Sequence, residues 1–240
     1  MSRTQSPPHL VDALGVSTNL ERFLREDPGN QVATFAKFLA YKILHHQASL
    51  AIFMQHRKDL IAQRLGLIPI PFGGYFKETF RSPETVQIPG REGSERNVFT
   101  TIYFMMAPEQ GGKNYLLSNK SDTIHYFHDG WPAYYILVSP EGKVEEHILG
   151  RDVAKGHIPQ LRVPGGYLKC GKILVDEKSY ASFPDEIPFT LMSEEVAPGF
   201  DSRDCFVPTE KEVQSLYPEL WNTLQEYITP KFDTQVNKDN

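Results

Sequence analysis

The chain has 240 residues and a formal net charge of -5, long enough to bury one sizeable core. Its Lys and Arg residues are scattered along an acidic chain, which argues against nucleic acid and anionic membrane surfaces as partners. The only two cysteines, Cys170 and Cys205, form no metal-type spacing and read as two free buried thiols of a reducing compartment, although one disulfide is arithmetically open.

Residues 1–18 are polar, contain Pro7-Pro8 and lack an apolar signal core, so a disordered tail on a cytoplasmic protein is expected. The most apolar stretch, Phe35 to Met54, is interrupted by Lys37, Lys42, His45 and His46, which argues against a membrane span. Residues 19–65 carry helical periodicity: Leu20, Phe23 and Leu24 share a face, Asp27-Pro28-Gly29-Asn30 breaks it, and Phe35, Phe38, Leu39, Leu44, Ile52, Phe53, Leu60 and Ile61 resume it. One kinked helix or two consecutive helices fit, with Gly66 as the residue that ends the last.

From Gly66 the texture changes to strands. Asn97–Met105, Ala133–Val138, Lys143–Ile148 and Tyr167–Val175 are β-branched and aromatic runs, and Ser139-Pro140-Glu141-Gly142 and Val163-Pro164-Gly165-Gly166 are turn signals. Many short strands with turns between them predict a mainly β antiparallel sandwich or barrel over residues 66–208. A C-terminal helix follows over 209–228, with Thr209 and Glu212 at capping-box spacing, and then a loose tail, 229–240. Gly73-Gly74 precedes a strand rather than a helix and so fails the context of a phosphate loop.

Six motifs in order carry a resemblance: Leu65-Gly66-Leu67, Gly73 to Thr79, Thr100 to Phe104, Ser121 to Gly130, Pro159 to Gly166 and Val196 to Asp201. Over Leu60 to Phe206 the chain resembles the cupin-5 branch of the cupin superfamily, which implies a single cupin jelly-roll β-barrel between the helical extension and the C-terminal helix. In metal-binding cupins the first motif supplies two His and a Glu and the second a third His. Anchored on Gly130 and on Pro164-Gly165-Gly166, the resemblance puts Tyr115, Leu117, Thr123 and Lys169 at those four positions. None is a conventional ligand, so a missing metal site and no cofactor are implied. Phe72 also replaces the Glu that the family usually shows before the Gly-Gly pair.

If Thr123 points into the barrel, alternation brings His125 and Phe127 in with it, which makes His125 the general acid/base candidate. His128 competes through a one-residue slip, and a His125/His128 metal pair is awkward because three-residue spacing in a strand separates faces. The resemblance directs Lys169 and Glu194 inward, where Lys169 would stabilise an oxyanion and Glu194 would orient a partner; the structural alternatives are a snorkelling lysine and a plain buried salt bridge. It also turns Tyr75, Lys77, Glu78, Thr101, Tyr103, Tyr115 and Gln160 toward a small-molecule ligand, although aromatic residues at strand spacing are more often core.

Three functions follow from these expectations. The first is a metal-independent isomerase, epimerase or cyclase: metal-free sugar epimerases of the superfamily use a His and a Tyr, and His125 with Tyr103 or Tyr115 is similar, with Lys169 on the oxyanion. The second is a cupin that lost its metal and binds a ligand without turnover. The third is a metal enzyme with ligands drawn from His125, Glu78, Glu194 and Tyr115. The apolar N-terminal helices further suggest a homodimer.

Overall fold

The computed structural model describes residues 56–70, 73–175, 180–183 and 185–230. The expected tail at 1–18, residues 231–240 of the expected tail at 229–240, the helices before His56 with the pairing inferred from them, and Phe72 lie outside the described residues. Helix α1, Arg57–Leu65, ends as its sequence predicts: Gly66 adopts φ 65°. The Gly66 amide then donates to Gln63 O and the Leu67 amide to Ala62 O, the paired bonds of a Schellman cap.

Thirteen strands follow among the described residues: β1 (Ile68–Pro69), β2 (Tyr75–Arg81), β3 (Thr85–Gln87), β4 (Glu95–Asn97), β5 (Thr100–Met106), β6 (Lys113–Asn119), β7 (Asp122–Gly130), β8 (Ala133–Val138), β9 (Val144–Leu149), β10 (Gln160–Val163), β11 (Leu168–Ile173), β12 (Thr190–Ala197) and β13 (Cys205–Phe206). One sheet runs β1-β2-β5-β12-β7-β10, the other β13-β6-β11-β8-β9, and β3-β4 is a separate hairpin. The two larger sheets face each other as a jelly-roll sandwich, with strand neighbours distant in sequence, as in β5-β12-β7. Gly130 illustrates how tightly this closes, because at φ 89° a Cβ there would lie 2.1 Å from Phe189 O.

Two apolar clusters hold the sheets. The inner one, between the sheets, includes Phe104, Met106, Tyr135, Leu137, Leu161, Phe189 and Met192. The outer one packs Leu116, Ile136, Val138, Leu168 and Cys170 of the five-stranded sheet against Val213, Leu224 and Tyr227. These last belong to the C-terminal segment, which is interrupted rather than one helix: α2, Glu210–Leu216, stops before Pro218, a short 3-10 turn intervenes, and α3 spans Trp221–Leu224. Proline removes the donor that an unbroken helix needs there. Thr209 and Glu212 form the full capping box, each side chain accepting from the other's backbone amide.

Candidate functional site

A cavity of about 380 Å³ opens between the sheets. Its wall is largely apolar, from Ile70, Phe76, Ile102, Phe104, Leu117 and Val196, and polar groups enter at few points: Glu78, Arg81, Asn114, Asn119, Thr123, Lys169 and Glu194 among them. That balance is how small-molecule sites are built.

The polar centre lies across three strands. Lys169 on β11 is the Cα partner of Leu117 on β6, and Glu194 on β12 is the Cα partner of His125 on β7. Facing each other across the sandwich, these strands bring together three side chains whose residues are no more than 8% exposed. Lys169 Nζ donates to Glu194 Oε2 at 3.0 Å and lies 2.9 Å from His125 Nε2. His125 Nδ1 sits 3.3 Å from Glu194 Oε1, without the alignment of a hydrogen bond.

The charge states follow from these contacts. Burial disfavours the imidazolium and the adjacent Lys169 ammonium repels it, so the His125 pKa is lowered despite Glu194. Burial also opposes ionisation of Glu194, but Lys169 and His125 outweigh it and hold the carboxyl well below the usual carboxylate range. The self-consistent assignment is a neutral His125 that accepts from Lys169 at Nε2 and turns its Nδ1–H toward Glu194, beside an ammonium–carboxylate pair. An ammonium has three donors, and two are directed at these partners.

His125 is wholly buried and packs its ring 5.2 Å from that of Tyr135, behind Lys169 rather than on the cavity wall. The imidazole there meets the Lys169 ammonium and does not line the cavity, whereas the sequence suggests a base that touches substrate. His128 is exposed on the opposite side of β7, its ring edge-on to Tyr103 at 5.9 Å and its Nε2 against Ser193 Oγ.

Glu78, Leu117, Thr123, Lys169 and Glu194 all line the cavity. Seven other residues expected to face a ligand do not line it. On β2, Phe76 and Glu78 face the cavity, so alternation turns Tyr75 and Lys77 away. The Tyr75 hydroxyl donates to Glu109 at 2.9 Å, and Lys77 is exposed against Gly66. On β5 the same rule gives Thr100, Ile102 and Phe104 to the cavity and turns Thr101 and Tyr103 outward, where Thr101 meets Thr79 at 2.8 Å. Gln160 is exposed on β10.

Tyr115 is displaced by an irregularity in the ladder: a register shift opposite β11 carries Asn114 to the cavity while the Tyr115 ring covers Gly73. Phe127 keeps the inward face of Thr123 and His125 but packs against the inner core, because the shift between Leu191 and Met192 falls beyond it, at His128. Cys205 also departs from expectation, being half-buried on the cavity wall while Cys170 is buried in the outer cluster. Burial raises the pKa of both thiols.

The amides Asn114 and Asn119 carry no site signal in the sequence, because Asn in the stretch before Ser121 reads as loop. Once a strand is placed there, alternation with Leu117 gives Asn119 to the cavity, whereas Asn114, three residues before Leu117, reaches it only through the register shift.

The positions to which the resemblance assigns the cupin metal ligands are Tyr115, Leu117, Thr123 and Lys169, and the Lys169 ammonium contacts both Glu194 and His125, the carboxylate and imidazole that a metal would need. This donor set does not fit a divalent cation. Among the described residues no group of three His, Cys, Asp or Glu is arranged to hold one, and no helix is long and apolar enough to cross a membrane.

Two antiparallel sheets closed over an apolar cavity, with the polar groups at the middles of strands, define a cupin-type barrel. A family model described as Cupin superfamily (DUF985) matches residues 59–207, more than half of the chain, and the chain belongs to that family. The uncharacterized protein YML079W of Saccharomyces cerevisiae (strain ATCC 204508 / S288c) is 37% identical over 154 residues, covering 60% of this chain and 72% of the yeast protein. Among solved structures, a hypothetical protein from Leishmania major superposes with a TM-score of 0.63 at 28% identity, covering 70% of this chain and 97% of that one. Protein SO0799 from Shewanella oneidensis gives a TM-score of 0.60 at 25% identity, with coverage of 74% and 100%.

Proposed function

We propose that the cavity binds a small, mainly apolar carbonyl compound and catalyses proton transfer next to the carbonyl, an isomerase, epimerase or cyclase type of reaction that uses no metal. The observation that carries this reading is the Lys169 ammonium: it lines an apolar cavity, with two of its donors committed to Glu194 and His125, which leaves the third for a ligand oxygen. In this scheme the free N–H of Lys169 binds the carbonyl oxygen. Glu194 takes the proton from the adjacent carbon, the electron pair moves into the enolate, and the ammonium stabilises the oxyanion. Return of the proton to another face or another carbon completes the reaction. His125, by accepting from Lys169, is a positioning residue.

A lowered carboxylate pKa makes Glu194 a weak base, so the scheme rests on oxyanion stabilisation by Lys169 more than on base strength. The same observation supports a second reading, in which the compound is held without turnover.

The two separate in deuterium oxide. Incubated with a panel of neutral cyclic ketones, the protein is expected to exchange the proton next to the carbonyl of at least one, followed by NMR, and Lys169→Met is expected to slow exchange about 10²- to 10³-fold, the usual loss for one oxyanion donor. Ketones that bind but exchange no faster than in buffer would leave only the binding reading standing.

A further inference from the structure

The proposal above assigns an apolar body and one carbonyl oxygen to the ligand; the remaining polar groups of the same cavity add to it. Two side-chain amides, Asn114 and Asn119, line the wall. They are 4% and 8% exposed, and the carbonyl oxygen of each is buried without a hydrogen-bond partner. A buried amide oxygen left unpaired costs on the order of 1–3 kcal/mol, and two in one cavity mark a place where a ligand completes the hydrogen bonding. They sit on β6 on either side of Leu117, the Cα partner of Lys169. A ligand whose carbonyl rests on Lys169 therefore has an amide on each side of it along the strand.

Charge narrows the class. The ionisable wall consists of Lys169 paired with Glu194 at 3.0 Å and Arg81 paired with Glu78 at 2.7 Å, two cations against two anions. Cys205, the remaining titratable group on the wall, has its thiol pKa raised by burial and adds no charge. A dianion brought into this apolar space would find no surplus positive charge to offset its desolvation. Amides, by contrast, match neutral hydroxyl and carboxamide groups, which both donate and accept, whichever way each Asn side chain is turned.

We infer that the ligand is a neutral carbonyl compound bearing hydroxyl or carboxamide groups on both sides of its carbonyl, read by Asn114 and Asn119, and not a phosphorylated or multiply anionic metabolite. This rests on the reading of Lys169 given above.

The test is a probe series built on one cyclic ketone: the parent, its hydroxylated and carboxamide derivatives, and a phosphate ester of the hydroxylated form, titrated by isothermal calorimetry. On the wild-type protein at least one hydroxylated or carboxamide probe is expected to bind 10-fold or more tightly than the parent, and the phosphate ester more weakly than the alcohol it derives from. Asn114→Leu and Asn119→Leu should each remove much of the preference while leaving affinity for the parent ketone within about threefold. The wild-type series needs no variant, so misfolding of either Asn variant leaves the question answerable. A parent ketone that binds as well as every derivative, or a phosphate ester that binds best, would overturn this inference while leaving the role of Lys169 intact. Equal affinity of Lys169→Met and the wild type for the parent ketone would instead overturn the reading beneath it, and no binding of any probe to the wild type would overturn both.

Discussion

Two buried ion clusters among the described residues differ in what they leave open. At one end Asp204 receives Arg96 through Nε at 2.8 Å and Nη2 at 3.0 Å, and Arg91 adds a bond at 3.0 Å. The other donors of Arg96 go to the carbonyls of Gly93, Glu95 and Glu92, so all five N–H groups of the guanidinium are used. This cluster ties the β3-β4 hairpin to the segment before β13 and is closed. Inside the barrel, Lys169, Glu194 and His125 form a cluster of similar burial, but its ammonium has a donor to spare and it lies on a cavity wall. Burial of charge alone therefore does not mark a site; an incomplete set of partners beside a cavity does.

Removing partners singly and together tests this difference most strongly. Glu194→Leu leaves the Lys169 ammonium buried beside a neutral imidazole and is expected to cost roughly 3 kcal/mol in chemical denaturation, the lower end of the range for breaking a buried pair. Lys169→Met combined with Glu194→Leu should recover to within about 1 kcal/mol of wild type, because an apolar pair replaces an ionic one in an already apolar wall. The corresponding Arg96→Met with Asp204→Leu should stay well below wild type, since three backbone carbonyls lose their donor. Equal recovery of both doubles would erase the distinction between a closed and an open cluster.

Acid should act on the two clusters over different ranges. The folded-state pKa of His125 is lowered, so the unfolded chain binds the extra proton first. Stability is then fully present above the unfolded value near 6.5 and falls as the pH drops below it, with a slope of up to about 1.4 kcal/mol per unit from this one proton. His125→Gln should flatten the limb just below pH 6.5 relative to a His128→Gln control, whose more exposed imidazole is also lowered by burial. The carboxyls of Glu194 and Asp204 are both lowered, the latter chiefly by its bonds to Arg96, so their contributions are present above the unfolded carboxylate values and are lost at lower pH. Asp204→Asn should therefore lower stability above about pH 4.5, where that contribution is present, and flatten the acid limb only below it. A stability profile flat from pH 7 to 5 would contradict the neutral, buried state of His125.

The smallest effect belongs to the rim of the closed cluster. Ser121→Ala removes the 2.8 Å bond from Arg91 Nη1 but leaves that guanidinium on Asp204 and on Lys120 O. A loss of about 1 kcal/mol is expected, with ligand binding unchanged. A change in ligand affinity larger than the change in stability would connect the two clusters.

The sequence announces the barrel well and the site unevenly. Strand runs such as Ala133–Val138 carry their own signal, and alternation from Thr123 correctly turns His125 inward. Alternation fails where the ladders shift, within β2 near Phe80, within β6 near Tyr115, and in β7 near His128, because a bulge is a two-strand property that one strand's residues do not encode. The depth of His125 behind Lys169 was equally hidden, as it depends on a neighbour from the opposite sheet. The closed cluster was invisible for the same reason, since Arg96 and Asp204 are 108 residues apart.

Lys169 is flanked on β11 by Leu168 and Cys170, which point the other way into the apolar layer under Val213, Leu224 and Tyr227. The strand is thus gripped from outside the barrel by the C-terminal segment, and the hollow in front of it need not supply its rigidity. Residues facing that hollow can change while the backbone beneath them stays fixed, which makes the C-terminal segment the anchor of a scaffold whose hollow can be relined without loss of the fold.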